Sequence, residues 1–291
     1  MINKILYLTD IHIKIKNLNE IDLLKKYIMA AKNVSLIIIG GDVLNKRFIN
    51  YECEQKAKEL IRLCSKVAIT YVLVGNHDYI DEDQFLTDKH WMNDLKNWPN
   101  VVIVDKVITI FCGFKITCVP YVANGRLVEA LDSSKTPWKD SMFVFAHQEI
   151  KGCNLGRKIS SDGDLWDPSY PTLISGHIHK RQIIGNNVIY PGSVLPHGYT
   201  NNYQQFCFIN TFLTSNKNRF SYNIKYFKFP TTEKSLVFVK TLDDLHNLRN
   251  KKLTNTLVVI EEYNIGKIEE MKQSQIYKEI VFRSYHVFFA D

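Results

Sequence analysis

Three apolar runs, "KILYL", "VSLIII" and "VAITYVLV", leave this chain few folds to choose from. A strand with one wet face alternates apolar and polar residues, whereas these runs are apolar almost throughout and read as strands buried on both faces. The first two are followed by apolar residues at helical spacing: Ile21, Leu24, Ile28 and Met29 near 19–32, then Ala57, Leu60, Ile61 and Cys64 near 52–65. A third helical stretch is expected around 83–96. Buried strands alternating with helices imply an α/β fold whose central sheet is covered on both sides.

From about residue 101 the texture changes to closely spaced strands: "VVIVD", "VITIF", "FKITCVPY", "SMFVFAH", "PTLISGH", "NVIYPG" and "QQFCFINTF". A break at "FKFPTTEKS" leads into "LVFVK", a helix over 241–249, "NTLVVIE", a helix near 265–275 and a last strand in "EIVFRSYHVFF". That β-α-β-α-β rhythm marks a small separate domain, so the boundaries are expected at 1–230 and 231–291. The net charge of +7 is unevenly spread, because the stretch from 231 onward holds nine Lys or Arg against nine Asp or Glu. The whole excess therefore lies in residues 1–230, which suits a polyanionic partner.

Six cysteines without CxxC spacing argue against both a disulfide framework and a zinc knuckle, and read as reduced thiols. No apolar stretch reaches the roughly 18 residues of a membrane span, and "MINKILYLTD" meets an Asp too early for a signal peptide. A cytoplasmic protein with no membrane partner is expected, in the host's cytoplasm if the chain is viral or from a phage.

The ends of the apolar runs carry the chemistry. "ILYL" ends in Thr9-Asp10-Ile11-His12, "SLIII" in Gly40-Gly41-Asp42, and "TYVLV" in Gly75-Asn76-His77-Asp78. "MFVF" ends in Ala146-His147, and "PTLIS" in Gly176-His177-Ile178-His179. Strand carboxyl ends of an α/β sheet share one edge, where ligands bind, so these five clusters should converge. They offer carboxylate, imidazole and amide donors without a thiolate, a set suited to manganese, iron or zinc in an open catalytic site. Two Asp, one Asn and four His exceed the needs of one ion. If Asp42 bridges, they divide into two sites of four protein ligands each. Gly41, Gly75 and Gly176 each precede a proposed ligand, where a sharp backbone turn is expected.

The pattern DxH, GD, GNHD, H and GHxH from Asp10 to His179 resembles that of the calcineurin-like metallophosphoesterases. The resemblance covers roughly the first 210 residues and implies a four-layer core of sheets flanked by helices. It implies that Asp10, His12, Asp42 and His179 hold one divalent ion, manganese by preference, and that Asp42, Asn76, His147 and His177 hold the other. His77 would face the phosphate and assist the leaving oxygen, with Asp78 orienting its imidazole. The chemistry implied is in-line attack by a hydroxide held between the two metals.

Within that superfamily, "GGDV", "AHQEI" and "ISGHIHKRQIIGNNVIYPGSV" look like the SbcD-type double-strand-break repair nucleases, particularly their phage and large-virus relatives. This likeness implies a DNA exonuclease or endonuclease of repair, recombination or replication, and a C-terminal capping domain that grips DNA. Duplex ends or single strands would be the substrate, with an SMC-like SbcC-type ATPase and a second copy of the chain as further partners. Asn45 departs from the Asp or His usual at its position. The alternatives are a phosphodiesterase or phosphatase for nucleotides and other small phosphoesters, and a non-catalytic scaffold.

His90, His246 and His286 read as structural or solvent-exposed, and His197 as a residue that can approach substrate. "SSDGDLWDP" over 160–168 reads as an acidic turn flanking the site, and Tyr199 and Tyr203 as packing residues before base-stacking ones.

Overall fold

The computed structural model describes residues 4–46, 50–80, 84–156, 158–197, 205–213, 220–228, 235–251, 253, 256–284 and 286–289. The chain divides into two compact units, one of residues 1–195 and 203–229 and the other of 196–202 and 230–291.

The first unit holds two six-stranded sheets. In the first sheet β1 (Lys4–Leu8), β2 (Leu36–Ile39), β3 (Ile69–Leu73) and β4 (Val101–Val104) run parallel, and two antiparallel strands extend it beyond β1. The second begins with β5 (Ile108–Phe111), antiparallel to β6 (Lys115–Cys118). From there β7 (Phe143–His147), β8 (Thr172–Gly176) and β10 (Val188–Tyr190) continue parallel, and β9 (Gln182–Ile184) closes the edge. The strands beyond β1 are β11 (Gln205–Leu213) and β12 (Phe220–Lys228). β12 is half exposed along its length, an amphipathic edge strand that the apolar-run reading passed over.

Side chains alternate faces along each strand, and here both faces are buried. Ile5, Tyr7, Leu36, Ile38 and Leu73 of the first sheet meet Phe143, Phe145 and Ile174 of the second in one core. The opposite face of the first sheet, with Leu6, Leu8, Ile37, Ile39 and Val72, is covered by α1 (Leu18–Ala30) and α2 (Tyr51–Val67). Their Ile21, Leu24, Ile28, Ala57, Leu60, Ile61 and Cys64 supply the helical stripe read from the sequence. The outer face of the second sheet, with Val144, Ala146 and Leu173, packs on α3 (Leu127–Asp132) and Trp138. Helix, sheet, sheet and helix layers result, where a single central sheet was expected from the alternation alone. All six cysteines are free thiols.

The helix expected around 83–96 is missing among the described residues there. The chain instead makes bends, a bridge between Tyr79 and His90, and a short 3₁₀ turn over Asn93–Asn97. Asn93 explains the difference, because its amide donates to the Asp88 and His90 carbonyls and so offers the backbone an alternative to the helix ladder. Trp98-Pro99 then bars continuation.

The second unit has a three-stranded parallel sheet of β13 (Ser235–Val239), β14 (Thr256–Ile260) and β15 (His286–Phe289). It carries α4 (Leu242–Asn247), α5 (Ile265–Gln273) and α6 (Gln275–Arg283). The run "EIVFRSYHVFF" is thus a strand only at its end. Ile276 and Ile280, one helical turn apart, are buried in this unit's core, and Ser274 caps α6 by accepting from Tyr277 N–H. Among the described residues no helix is long and apolar enough to cross a membrane.

Candidate dinuclear metal centre

Five strands of the first unit deliver their carboxyl ends to one place. The loops after β1 and β2 pair beyond the strands, through Asp10 N–H to Gly41 O (3.1 Å), His12 N–H to Asp42 O (3.0 Å) and Ile13 N–H to Val43 O (2.8 Å). That pairing bends the backbone into an uncommon conformation. Among the described residues seven non-glycine residues have positive φ, and four of them are Asp10 (52°), His12 (46°), Asp42 (51°) and His177 (78°). Such positions cost about 1–3 kcal/mol each and persist where surrounding structure over-determines them.

The glycines serve in two different ways. Gly41, at φ 96°, makes a turn that an L side chain resists, and a Cβ there would also meet the His147 ring. Gly75 and Gly176 do not turn the chain in that way. A Cβ on Gly75 would collide with the Asp42 backbone and carboxylate, and one on Gly176 with Thr9 Oγ1 and Gly40 O. Their place before a ligand reflects close approach of backbones, which corrects the turn expected from sequence.

Within each grouping the donor atoms lie within 4.8 Å of one another. His12 Nε2 lies 3.1 Å from His179 Nε2 and 3.8 Å from Asp10 Oδ1, which is 3.6 Å from His179 Nε2. Asp42 Oδ2 lies 3.5 Å from His12 Nε2 and 3.3 Å from His147 Nε2, and so faces both groups. Asn76 Oδ1 lies 3.2 Å from His147 Nε2 and 3.0 Å from His177 Nδ1. Asp10, His12 and His179 thus form one cluster and Asp42, His147 and His177 another. His77 Nε2, 3.8 Å from Asp42 Oδ2, makes a third grouping with His12 and Asp42.

Thr9 Oγ lies 2.8 Å from Asp10 Oδ2 and 3.1 Å from Gly40 O, with one O–H to share between them, while His147 Nδ1 donates to Gly40 O (2.7 Å) and so turns Nε2 inward. His177 Nε2 lies 4.0 Å from Glu149 Oε2, which leaves Nδ1 for the cluster. Glu149, two residues beyond His147 in "AHQEI", was missed because nothing in the sequence shows which way it faces. Tyr121, whose ring lies 5.6 Å from that of His177, carries no motif and was missed likewise.

This donor set fits divalent cations. Burial pushes His12 and His177 down to about 3, so both are neutral imidazoles with a lone pair to give. Burial works against charge at Asp42 too, yet His147, His12 and His77 outweigh it and hold its carboxyl below the usual range. At His147 burial opposes the imidazolium, but Asp42, Asp10 and the Gly40 carbonyl together raise it to about 9. The carboxylates draw a proton to the place where a cation would sit.

His77 is 40% exposed, His179 29% and His177 22%, whereas Asp10, Asp42 and His147 are buried. The three histidines form the mouth and the others the floor. The His77 ring is held by Nδ1 donating to the Asn45 main-chain carbonyl (2.8 Å). Asp78, expected to orient that ring, does something else. Its two oxygens accept from Val43 N–H (3.3 Å), Leu44 N–H (3.3 Å), Gly75 N–H (3.0 Å) and Trp91 Nε1–H (2.9 Å). With its acceptor positions filled by these donors, Asp78 fastens the loop after β2 to the loop after β3.

His90 is buried, with Nε2 3.3 Å from Asp105 Oδ2 and Nδ1 accepting from Met92 N–H, a structural histidine as expected. His246 is exposed on α4, His286 lies in β15, and His197 is half-buried after β10. Tyr199 and Tyr203 lie outside the described residues. In "SSDGDLWDP" the buried Asp164 accepts from Leu127 N–H at the start of α3 and from Gln148 Nε2, so it works as a cap and a brace.

Residues 3–181 match the family model of the calcineurin-like phosphoesterases. Protein 244L of Invertebrate iridescent virus 6, which bears a phosphoesterase name, is 41% identical over 201 residues, 67% of this chain and 71% of that protein. Protein 078R of Invertebrate iridescent virus 3, of like name, is 34% identical over 300 residues, 98% of this chain and 83% of that protein. Among solved structures, Yfce, a phosphoesterase from E. coli, aligns with a TM-score of 0.38 at 12% identity over 78% of this chain and 100% of that one.

Proposed function

Because this chain belongs to the calcineurin-like phosphoesterase family, we propose that its strand-end centre is that of a phosphodiesterase cutting DNA, a nuclease of the SbcD kind. Phosphoester hydrolysis with divalent metals is the family's chemistry, and the observation that carries the step to nucleic acid is charge. Of the excess of +7, none comes from residues 231–291, with nine cations against nine anions. The unit that holds the mouth of the site therefore also holds the positive field that a polyanion meets.

Two divalent ions, of manganese in this reading although the donors suit iron and zinc too, would be held by Asp10, His12, Asp42 and His179 and by Asp42, Asn76, His147 and His177, lowering a water pKa and neutralising phosphoryl charge. The protein's own part is placement. His77, its Nδ1–H fixed on the Asn45 carbonyl, presents Nε2 at the mouth, where a protonated imidazole stabilises the departing oxygen and gives it a proton. Asn45 itself contributes a main-chain carbonyl to this arrangement, which any residue at that position supplies. Asp78 keeps His77 in register with Asp42, whose Oδ1 accepts from His77 N–H (2.9 Å).

Manganese-dependent digestion of end-labelled duplex and single-stranded DNA, beside bis-p-nitrophenyl phosphate and a panel of nucleotides, tests the reading. Salt-sensitive cleavage of DNA is expected. Turnover of nucleotides with no cleavage of either DNA would replace the nuclease by a small-molecule phosphoesterase.

A further inference from the structure

After His147 the chain folds back on itself before reaching β8. Gly152 N–H donates to Ser160 O (2.9 Å), Ser160 N–H to Cys153 O (2.8 Å) and Leu155 N–H to Lys158 O (2.9 Å), with Asn154 bridged to Ile159. The result is a short hairpin. Its root is fixed by the buried Cys153 and by Lys151 N–H donating to Asp164 O (2.9 Å). Its side is clipped to β9 by Gln182, which accepts from Asn154 N–H (2.7 Å) and donates to Asn154 O (3.0 Å) and Lys180 O (3.3 Å).

Both attachments lead to the candidate centre. Ser160 Oγ donates to Glu149 Oε1 (2.5 Å), the carboxylate beside His177, and Lys180 directly follows His179. The hairpin and the turn at Lys180 therefore border the mouth on its His177 and His179 side.

The exposed charges of the hairpin and the Lys180 turn are positive, with half-buried Glu149 beneath them and Asp162 directly after the hairpin as neighbouring acids. Residues 150–161 contain Lys151, Arg157 and Lys158 but no Asp or Glu, and residues 168–232 contain no acid at all. Arg157 lies outside the described residues. Lys151, Lys158 and Lys180 are exposed, and among the described residues none of them has an ion-pair partner. The helical face of the same unit is arranged differently. There Lys25 and Lys56 meet Asp22 and Glu59, and Lys58 meets Glu54 and Asp94. Exposed aliphatic side chains, Ile159 and Ile183, accompany the three lysines.

We propose that the 150–161 hairpin and the Lys180 turn form a lip that binds the phosphates flanking the scissile one, which makes a nucleic-acid strand, and not a mononucleotide, the substrate. Ammonium groups without protein partners supply phosphate contacts, and Ile159 and Ile183 offer apolar surface to sugars and base faces. A mononucleotide seated in the centre has no flanking phosphate for the lip to hold. The proposal rests on the nuclease reading and extends it.

The test uses the full chain with Lys151→Ala, Lys158→Ala and Lys180→Ala combined, compared with wild type. Hydrolysis of bis-p-nitrophenyl phosphate is expected to stay within about twofold, since it reads the metal centre and the integrity of the fold. The slope of log affinity for duplex DNA against log salt is expected to shrink by about 2 to 3, at about 0.9 for each lost contact, with KM for DNA raised more than kcat is lowered. A triple variant that keeps the wild-type slope and KM while DNA is still cut would overturn the lip and leave the nuclease standing. A wild-type protein that turns over the small diester but neither cuts DNA nor binds it salt-dependently would overturn both.

Discussion

The two units each contain a run of parallel strands joined through helices, yet their strand ends are put to opposite use. In the first unit the chain leaves β1, β2 and β8 through Asp10, His12, Asp42 and His177 at positive φ. In the second, no described non-glycine residue has positive φ. There β13 runs into Thr241, whose hydroxyl accepts from Asp244 N–H (3.2 Å) while Asp244 Oδ2 accepts from Thr241 N–H (2.9 Å). β14 runs into Glu262 and Asn264, and Asn264 Oδ1 accepts from Lys267 N–H (3.2 Å) to start α5. The strand-end polar residues Thr241, Asp244 and Asn264 of the second unit are consumed in capping helices. Those of the first converge on each other, held in costly backbone shapes, and so remain available to a ligand.

If that contrast is correct, the largest loss in the molecule should follow removal of the carboxylate that faces both ligand clusters. Asp42→Ala deletes the group facing His12 and His147 and the acceptor of His77 N–H. Activity on the small diester and on DNA alike is expected to fall by well over the roughly 100-fold that outer partners of a metal site cost. Metal analysis of the purified variant should find fewer than two ions. Two retained ions with wild-type turnover would break the comparison at its centre.

His77 separates ligand from acid within one loop. His77→Ser is expected to keep the metal content and DNA affinity, while turnover on DNA falls by about 100-fold. The deficit should narrow for p-nitrophenyl esters, whose leaving group scarcely needs a proton. Loss of an ion from the variant would instead place His77 with His12 and Asp42 as a ligand, a grouping that the distances also allow.

How far the sequence reveals these features depends on what sets them. The nearly unbroken apolar character of β1, β2 and β3 is local, so the buried strands, the helices α1 and α2 and the abrupt polar ends after Leu8, Ile39 and Val74 are all legible. Facing direction is not local. Asp78 stands beside His77 in the chain, yet its oxygens turn to Val43, Leu44, Gly75 and Trp91, and the ring is left to a main-chain carbonyl that leaves no trace in residue type. Glu149 and Tyr121 escape for the same reason. The misread stretches, 84–96 and 279–284, are places where single side chains, Asn93 and the Ile276–Ile280 pair, decide between helix and extended chain.

Asp78→Asn sharpens the contrast further, since it keeps the shape and removes one acceptor from a buried carboxylate that receives four N–H groups. Leaving buried donors without their acceptor costs about 1–3 kcal/mol. A lower melting temperature is expected, together with a loss on DNA smaller than that of His77→Ser, because the loops shift and no reacting group is removed. Loss equal to that of His77→Ser at unchanged stability would restore a direct role in orienting the imidazole.

The smallest effect is expected where a strand end only caps a helix. Thr241→Ala removes the hydroxyl that accepts from Asp244 N–H and leaves α4, a helix of Leu242–Asn247, with an orphan donor at its start. Such caps are worth about 1 kcal/mol. Amide exchange should therefore quicken over α4 and the neighbouring end of β13, while hydrolysis of bis-p-nitrophenyl phosphate and metal content stay at wild-type values. The expectation follows from location, because all the proposed ligands precede residue 180 and belong to the first unit, whereas Thr241 belongs to the second. If this change instead lowered small-diester turnover by as much as Asp78→Asn does, the capping ends of the second unit would be serving the catalytic centre, and the division of labour between the two sets of strand ends would have to be given up.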